Sequence, residues 1–252
     1  MASTIFRPSY GIDMTAISRL TLKPNMALFL DFDGTLAPIC DNPDSVGISA
    51  KQSELLLKCA EYLDGAIAII SGRDLRDLAR RVPQGLWRGG NHGLFIAAPD
   101  KIVPPDLPAL PAAITNVLEG LIEDMDGVWL ERKGPVAAIH FRAAPKYEMD
   151  ILSGVDTILS RFSDYKRQHG NMIVEAKPIA ADKGRFIHQQ MRLRSFSGRM
   201  PIMIGDDTTD EDAFAAVQGL GGMAVKVGPG ESCAKYRAET VTDVYAFLRR
   251  AQ

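Results

Sequence analysis

The chain lacks any apolar run approaching the roughly eighteen residues that cross a bilayer, and its opening, MASTIFRPSYGIDMTAISRL, lacks the continuous apolar stretch of a secretion signal. No membrane partner and a cytoplasmic location are therefore expected. Cysteine is scarce. Cys40, Cys59 and Cys233 are odd in number and have no metal-ligand spacing, which points to free thiols in a reducing compartment rather than a disulfide framework. Charge of one sign is also missing: 29 Lys and Arg face 31 Asp and Glu, for a formal net charge of −2. With no basic stretch to track a phosphate backbone, nucleic acid is not an expected partner, and an acidic substrate would have to be met locally. Internal repeats and low-complexity tracts are absent. What is present, 46% hydrophobic and 24% charged residues over 252 positions, excludes a disordered chain and suits one large or two modest domains. A monomer is expected.

The most informative segment is LFLDFDGTLAPI, Leu28 to Ile39, which runs an apolar strand into Asp31 and Asp33. Residues two apart on a strand share a face, so both carboxylates would leave toward one site, and Gly34 permits a sharp turn after them. Burying two like charges costs on the order of several kcal/mol unless a cation sits between them, so a divalent metal is expected there.

Other strand ends carry similar punctuation. Ala66 to Ile70 ends in Ser71, Gly72 and Arg73; Lys183 opens a helix in ADKGRF; Pro201 to Ile204 runs into GDDTTDEDAF with Asp206, Asp207 and Asp210. Taken singly, these read equally well as turn residues, a surface lysine and a solvated acidic loop. Between them the pattern alternates strand and helix. Ser49 with Gln52 forms a capping box for a helix through Leu63 that Gly65 stops, and a second helix runs from Asp74 to Arg81. Apolar strands without polar alternation imply a parallel sheet covered on both faces, at whose carboxyl edge Asp31, Ser71 and Asp206 would converge.

In their order, Asp31-x-Asp33-x-Thr35, Ser71, Lys183 and Asp206 resemble the motifs of the haloacid dehalogenase-like phosphohydrolases. The expected fold is thus α/β, with a Rossmann-like core on a parallel sheet and an inserted α+β cap on an antiparallel sheet. Residues 1–108 and 179–252 would form the core and 109–178 the cap. A hairpin is expected over Leu94 to Val103 around Pro99 and Asp100, then a proline-rich linker, Pro104 to Pro111. The cap reads as helix, two strands, helix, strand: a face of Ile114, Leu118 and Leu121, a hairpin of Val128 to Leu130 with Val136 to Phe141, a helix from Tyr147 to Phe162, and a strand from Met172 to Lys177.

GNHG at Gly90, LERKG at Leu130, HFR at His140, VEAKP at Val174, and LGGMAVKVGPG at Leu220 are similar to segments of the trehalose-6-phosphate phosphatases, particularly the bacterial type. That resemblance implies Mg2+ held by the Asp31 carboxylate, the Asp33 backbone carbonyl and Asp206. It implies Asp31 as nucleophile, Asp33 as general acid and base, and Ser71, Gly72 and Lys183 on the phosphate. Arg73, Asn91, His92, Glu131, Lys133 and Glu175 would meet the substrate, and Asp207 and Asp210 would organise metal-bound water or the loop. The substrate would be a small sugar phosphate. Read from the residues alone, the cap charges are equally exposed strand positions satisfied by water or cross-strand pairs, and His140 and Arg142 lie on a face of undecided direction. Another sugar-phosphate phosphatase, for sucrose phosphate or a glycosyl-phosphoglycerate, would keep every core residue. A phosphomutase would keep the aspartyl intermediate, and a noncatalytic sugar-phosphate sensor would be expected to lack one of Asp31 and Asp33.

Overall fold

In the computed structural model, which describes residues 15–40, 42, 45–170 and 172–250, the chain enters through β1 (Thr15–Ala16) and β2 (Met26–Asp31). All six residues of β2 are buried, as befits a central parallel strand with helices on both faces. Helix α1 (Ala50–Tyr62) opens on the capping box: Ser49 Oγ accepts from the Gln52 N–H at 3.3 Å, and Gln52 Oε1 accepts from the Ser49 N–H at 2.6 Å. β3 (Ile67–Ile70) follows, then α2 (Leu75–Arg81), capped by the Asp74 carboxylate, then β4 (Trp87–Gly90) and β5 (Phe95–Ala97). The middle of the chain is α3 (Ala112–Ile122), β6 (Trp129–Lys133), β7 (Val136–His140), α4 (Glu148–Leu159), β8 (Tyr165–Gly170) and β9 (Ile173–Pro178). It returns through α5 (Lys183–Gln190), β10 (Met200–Gly205), α6 (Glu211–Gly219), β11 (Met223–Val227), β12 (Tyr236–Ala238) and α7 (Val241–Arg249).

One sheet has eight strands in the order β1-β12-β11-β10-β2-β3-β4-β5, parallel throughout except between β4 and β5. From β2 the chain moves to β3 on one side and later returns to β10 on the other. This switch of direction opens a crevice at the carboxyl end of β2. Beneath it Phe29 stacks on Phe196 with ring centroids 5.4 Å apart, while Phe186 of α5 meets Phe29 edge-on at 6.4 Å.

The second sheet, β6-β7-β9-β8, is wholly antiparallel. Its strands alternate. Ala137, Ile139, Val174 and Ala176 bury one face against Ile114 and Leu118 of α3 and Ile151 and Val155 of α4, an apolar cluster separate from that of the larger sheet. The opposite face therefore carries Trp129, Glu131, Lys133, His140, Glu175 and Lys177, which share the other side of the same registers.

Two expectations need correction. The hairpin lies earlier than Pro99 and Asp100: β4 pairs with β5 through the turn Asn91–Leu94, while the Asp100 N–H bonds Gln84 O and the Lys101 N–H bonds Ala98 O in a turn that leaves the strand. The small residues of WRGG concealed β4. The cap sheet also has a fourth strand, β8. YKRQHG carries no apolar run, yet its backbone pairs with β9 over six registers, and its charges find Asp156 and Asp182 as an edge strand permits. Among the described residues no cysteines are bridged, and no helix is long and apolar enough to cross a membrane.

Candidate active site

Four strand ends converge in the crevice: Asp31 closes β2, Ser71 follows β3, Asn91 and His92 follow β4, and Asp206 follows β10. Asp31 is buried. Lys183, at the first position of α5, donates 2.6 Å hydrogen bonds to Asp31 Oδ1 and to Asp210 Oδ1. The other Asp210 oxygen accepts from the backbone N–H groups of Asp206 and Asp207, both at 3.1 Å, so Asp210 shapes the loop while pinning the lysine. Burial raises the Asp31 carboxyl well above the usual range, with the charges of Asp210 and Asp206 adding to it against the pull of Lys183. Burial, reinforced by Asp210 and Asp207, pushes Asp206 up to about 7. Burial also opposes the Lys183 charge, but Asp210 and Asp31 outweigh it and hold the ammonium far above its ordinary value.

Such crowded carboxylates ask for a cation. Oxygen atoms of Asp31, Asp206 and Asp210 all lie within 4.8 Å of one another, a donor set of oxygens only, which suits a hard divalent ion. Gly34 makes the approach possible. Its φ is +77°, and a Cβ there would stand 2.0 Å from Asp206 Oδ2. The residues fit the metal, although the carboxylate group is Asp31, Asp206 and Asp210 rather than the pair Asp31 and Asp33 that strand alternation suggested.

Asp33 turns elsewhere because β2 ends at Asp31 and Arg73 captures its carboxylate. Arg73 Nε lies 2.8 Å from Asp33 Oδ2, an Nη lies 2.6 Å from Oδ1, and the other Nη donates to Asp77 at 2.9 Å. Burial works against the guanidinium charge, and the Asp33 and Asp77 carboxylates more than restore it. Ser71 is buried, with Oγ accepting from the Arg73 N–H at 3.1 Å. Gly72 lies under the His92 ring; a Cβ there would meet it at 2.9 Å. Asp207 caps the turn Thr208–Asp210 by accepting from the Thr208 N–H at 2.7 Å.

The smaller sheet presents its polar face to this crevice. Asn91 and His92 adopt left-handed backbone, φ +52° and +57°, and both side chains are buried. Asn91 Nδ2 donates to Lys133 O at 2.6 Å while its Oδ1 accepts from the Leu75 N–H. His92 Nε2 lies 2.7 Å from Glu175 Oε2. Burial pushes the imidazole down; the Glu175 carboxylate can only accept, so the Nε2 facing it donates, while Nδ1 is buried with no hydrogen-bond partner among the described residues. Burial also works against the Glu175 charge, but His92, Lys133 and Lys177 hold the carboxyl well below the usual range. Lys133 bridges Glu175 and Glu131 at 3.5 Å each, and Glu131 accepts from His140 Nε2 at 2.8 Å. His140 in turn stacks flat on the exposed Trp129, rings 3.9 Å apart and 6° from parallel. His140 thus lies on the Glu131 side of the sheet.

Lys226 went unread in the sequence as a site residue. Its ammonium donates to the Asp206 backbone carbonyl and, at 2.9 Å, to that of Val227, bracing the acidic loop from β11. A lysine in the buried apolar run MAVKV was the available signal.

Similarity to known proteins agrees with this geometry. A family model described as trehalose-phosphatase matches residues 29–243. The trehalose-6-phosphate phosphatase of Escherichia coli (strain K12) is 38% identical over 232 residues, 90% of this chain and 86% of that protein. The fold matches the C-terminal domain of a trehalose-6-phosphate phosphatase from C. albicans (TM-score 0.76, 21% identity, 90% and 92% of the two chains). It also matches a haloacid dehalogenase-like hydrolase from Bacteroides thetaiotaomicron (TM-score 0.62, 17% identity, 89% and 98%). With the strand-end carboxylates, the pinned lysine and a match that spans both sheets, the chain belongs to the trehalose-phosphatase family.

Proposed function

We propose that this protein hydrolyses trehalose 6-phosphate to trehalose and phosphate by way of an aspartyl-phosphate on Asp31, with Mg2+ as its metal. The observation that carries the reading is Asp31, buried at a strand end against Lys183, in a crevice joined to the polar face of the smaller sheet by the contact of His92 with Glu175. Asp31, Asp206 and the Asp33 backbone carbonyl would hold the ion, with Asp210 fixing the loop. When bound, the ion offsets the repulsion between an anionic nucleophile and an anionic phosphate.

A carboxylate oxygen of Asp31 forms the new bond to phosphorus as the bond from phosphorus to the sugar oxygen breaks. Asp33, once it has left Arg73 and taken up a proton, gives that proton to the departing oxygen. It then takes one from the water that attacks phosphorus, and the Asp31–phosphorus bond breaks to release phosphate. Arg73 holds Asp33 at the crevice until that exchange, while Ser71, Gly72 and Lys183 hold the phosphoryl oxygens. Residues 109–178 act as the cap, whose Glu131, Lys133 and Glu175 take the hydroxyls of the sugar remote from phosphorus. Paired carboxylate and ammonium groups suit those hydroxyls, since a disaccharide offers many of them and no charge of its own.

Phosphate release from a panel of sugar phosphates, with and without Mg2+, tests the reading. Trehalose 6-phosphate should be the best substrate. Preference for glucose 6-phosphate or sucrose 6-phosphate would remove the trehalose assignment and leave the phosphatase.

A further inference from the structure

Lys177 is buried, yet it makes no hydrogen bond and no ion pair among the described residues. It lies on the crevice-facing side of β9, two residues from Glu175 and beside Lys166 of β8 in the register. Each neighbouring carboxylate is already engaged. Glu175 gives one oxygen to His92 and the other to Lys133. Asp182 accepts from the Arg185 N–H and from Lys166, and it shares a hydrogen bond with Asp212. Of the four lysines at the seam between the sheets, Lys133, Lys166, Lys177 and Lys183, only Lys177 has no carboxylate within ion-pair distance among the described residues.

A buried ammonium with no ion pair of its own is costly, and a bound anion that supplied the opposite charge would stabilise it. Apart from the divalent ion, the side-chain cations near the strand ends are already divided between carboxylates. Lys183 is shared between Asp31 and Asp210, and Arg73 between Asp33 and Asp77. We infer that Lys177 is a phosphate-binding residue carried by the cap, set to meet the substrate's phosphoryl oxygens from the side opposite Lys183. This rests on the phosphatase reading above and extends what the cap does, since it would sense the charge at the reacting end as well as the remote sugar.

The electrostatics agree. Burial, with Lys166 and Lys183 adding to it, pushes the Lys177 ammonium down to about 8 against the pull of Glu175 and Asp182. His92 and Asp212, on the core side, also feel its charge. Below about 8 the free protein offers a cation here, above it a neutral amine, and a bound dianion would draw the proton back.

The test is calorimetric binding of inorganic phosphate to the Mg2+-loaded protein. Wild type should bind about tenfold more weakly at about pH 9 than at about pH 7, where each tenfold is one decade in Kd. Lys177→Met should bind at about pH 7 as weakly as wild type does at about pH 9, with no further fall, whereas Lys177→Arg should keep its affinity at both. On p-nitrophenyl phosphate, which has no sugar, Lys177→Met should raise KM by a similar factor. If Lys177→Met binds phosphate within about twofold of wild type, the inference is overturned. The same holds if Lys177→Met loses efficiency only on trehalose 6-phosphate, since the lysine then reads sugar. Should Lys177→Met fail to fold, Lys177→Arg decides: a fall in its phosphate affinity between the two pH values, matching wild type, overturns the assignment. A wild type that cleaves p-nitrophenyl phosphate but ignores trehalose 6-phosphate would remove the substrate reading and leave the phosphate measurement valid.

Discussion

The His92 imidazole meets the Glu175 carboxylate at 2.7 Å across the seam, with both side chains buried. One comes from a turn after β4 of the larger sheet and the other from the middle of β9 in the smaller one. From Glu175 the contacts continue through Lys133 and Glu131 to His140 and Trp129. A sugar bound among these groups would therefore be felt at the strand ends where phosphorus reacts, because remote contacts that hold the cap down also exclude water from the reacting group.

That coupling predicts a split between substrates. Alanine at Glu131, Lys133 or Glu175 should cut kcat/KM on trehalose 6-phosphate by roughly tenfold or more, about 1.4 kcal/mol per decade. Hydrolysis of p-nitrophenyl phosphate should barely change at Glu131. Equal losses on both substrates would mean that these residues only support the cap fold. His140→Ala should act through Glu131, raising KM for the disaccharide with little change in kcat.

The two aspartates of the first strand end should differ in kind. Asp31→Asn should abolish turnover while leaving thermal unfolding nearly unchanged, because in the proposed mechanism the bond to phosphorus forms on that oxygen. Asp33→Asn should slow leaving-group departure and breakdown of the intermediate, so phosphoenzyme should accumulate in rapid-quench experiments. Retention of more than a few per cent of phosphate release by Asp31→Asn would sink the nucleophile assignment.

Chelation of divalent ions should remove activity and Mg2+ should restore it. Gly34→Ala is the sharper probe, because its Cβ would intrude on Asp206 at a backbone angle that disfavours a side chain. It should raise the Mg2+ concentration needed for half-activation by roughly tenfold or more, or lose activity outright, as measured by Mg2+ titration of phosphate release.

Lys177 carries a stability prediction of definite sign. Its folded value of about 8 lies below the ordinary 10.5, so between these the unfolded chain binds more protons and stability rises with pH. Below about 8 the folded protein bears the full cost of the buried ammonium, on the order of 3 kcal/mol. Lys177→Met should accordingly raise Tm near neutral pH, with the gain shrinking as pH climbs toward 10.5. A lowered Tm at every pH would show that the lysine is a structural counter-charge instead.

Much of this architecture was legible because strand ends announce themselves: apolar runs of four to six residues stop at Asp31, Ser71 and Asp206. The capping box at Ser49 and the helical faces of α3 and α4 were equally plain, since each depends on neighbours in sequence. What escaped depends on partners far along the chain. β4 and β8 lack the composition of strands and exist because β3, β5 and β9 lie alongside. Arg73 could not be assigned to Asp33 from a turn motif, and Asp210 could not be placed against Lys183. The direction in which His140 faces was open until the registers of β6, β7 and β9 were known.

The smaller sheet enters and leaves the chain through two short crossings. One is tied where the Leu110 N–H meets Gly134 O, and the other where the Ile179 N–H meets Asp164 O. Both ties fall on turns beside the smaller sheet's strands, and the apolar clusters of the two sheets stay separate. On the proposed reading of the smaller sheet, recognition is packaged as a cassette. Residues 109–178 could be exchanged between relatives to retarget the enzyme to another sugar, provided that Asn91 and His92, the docking pair below the seam, travel with them.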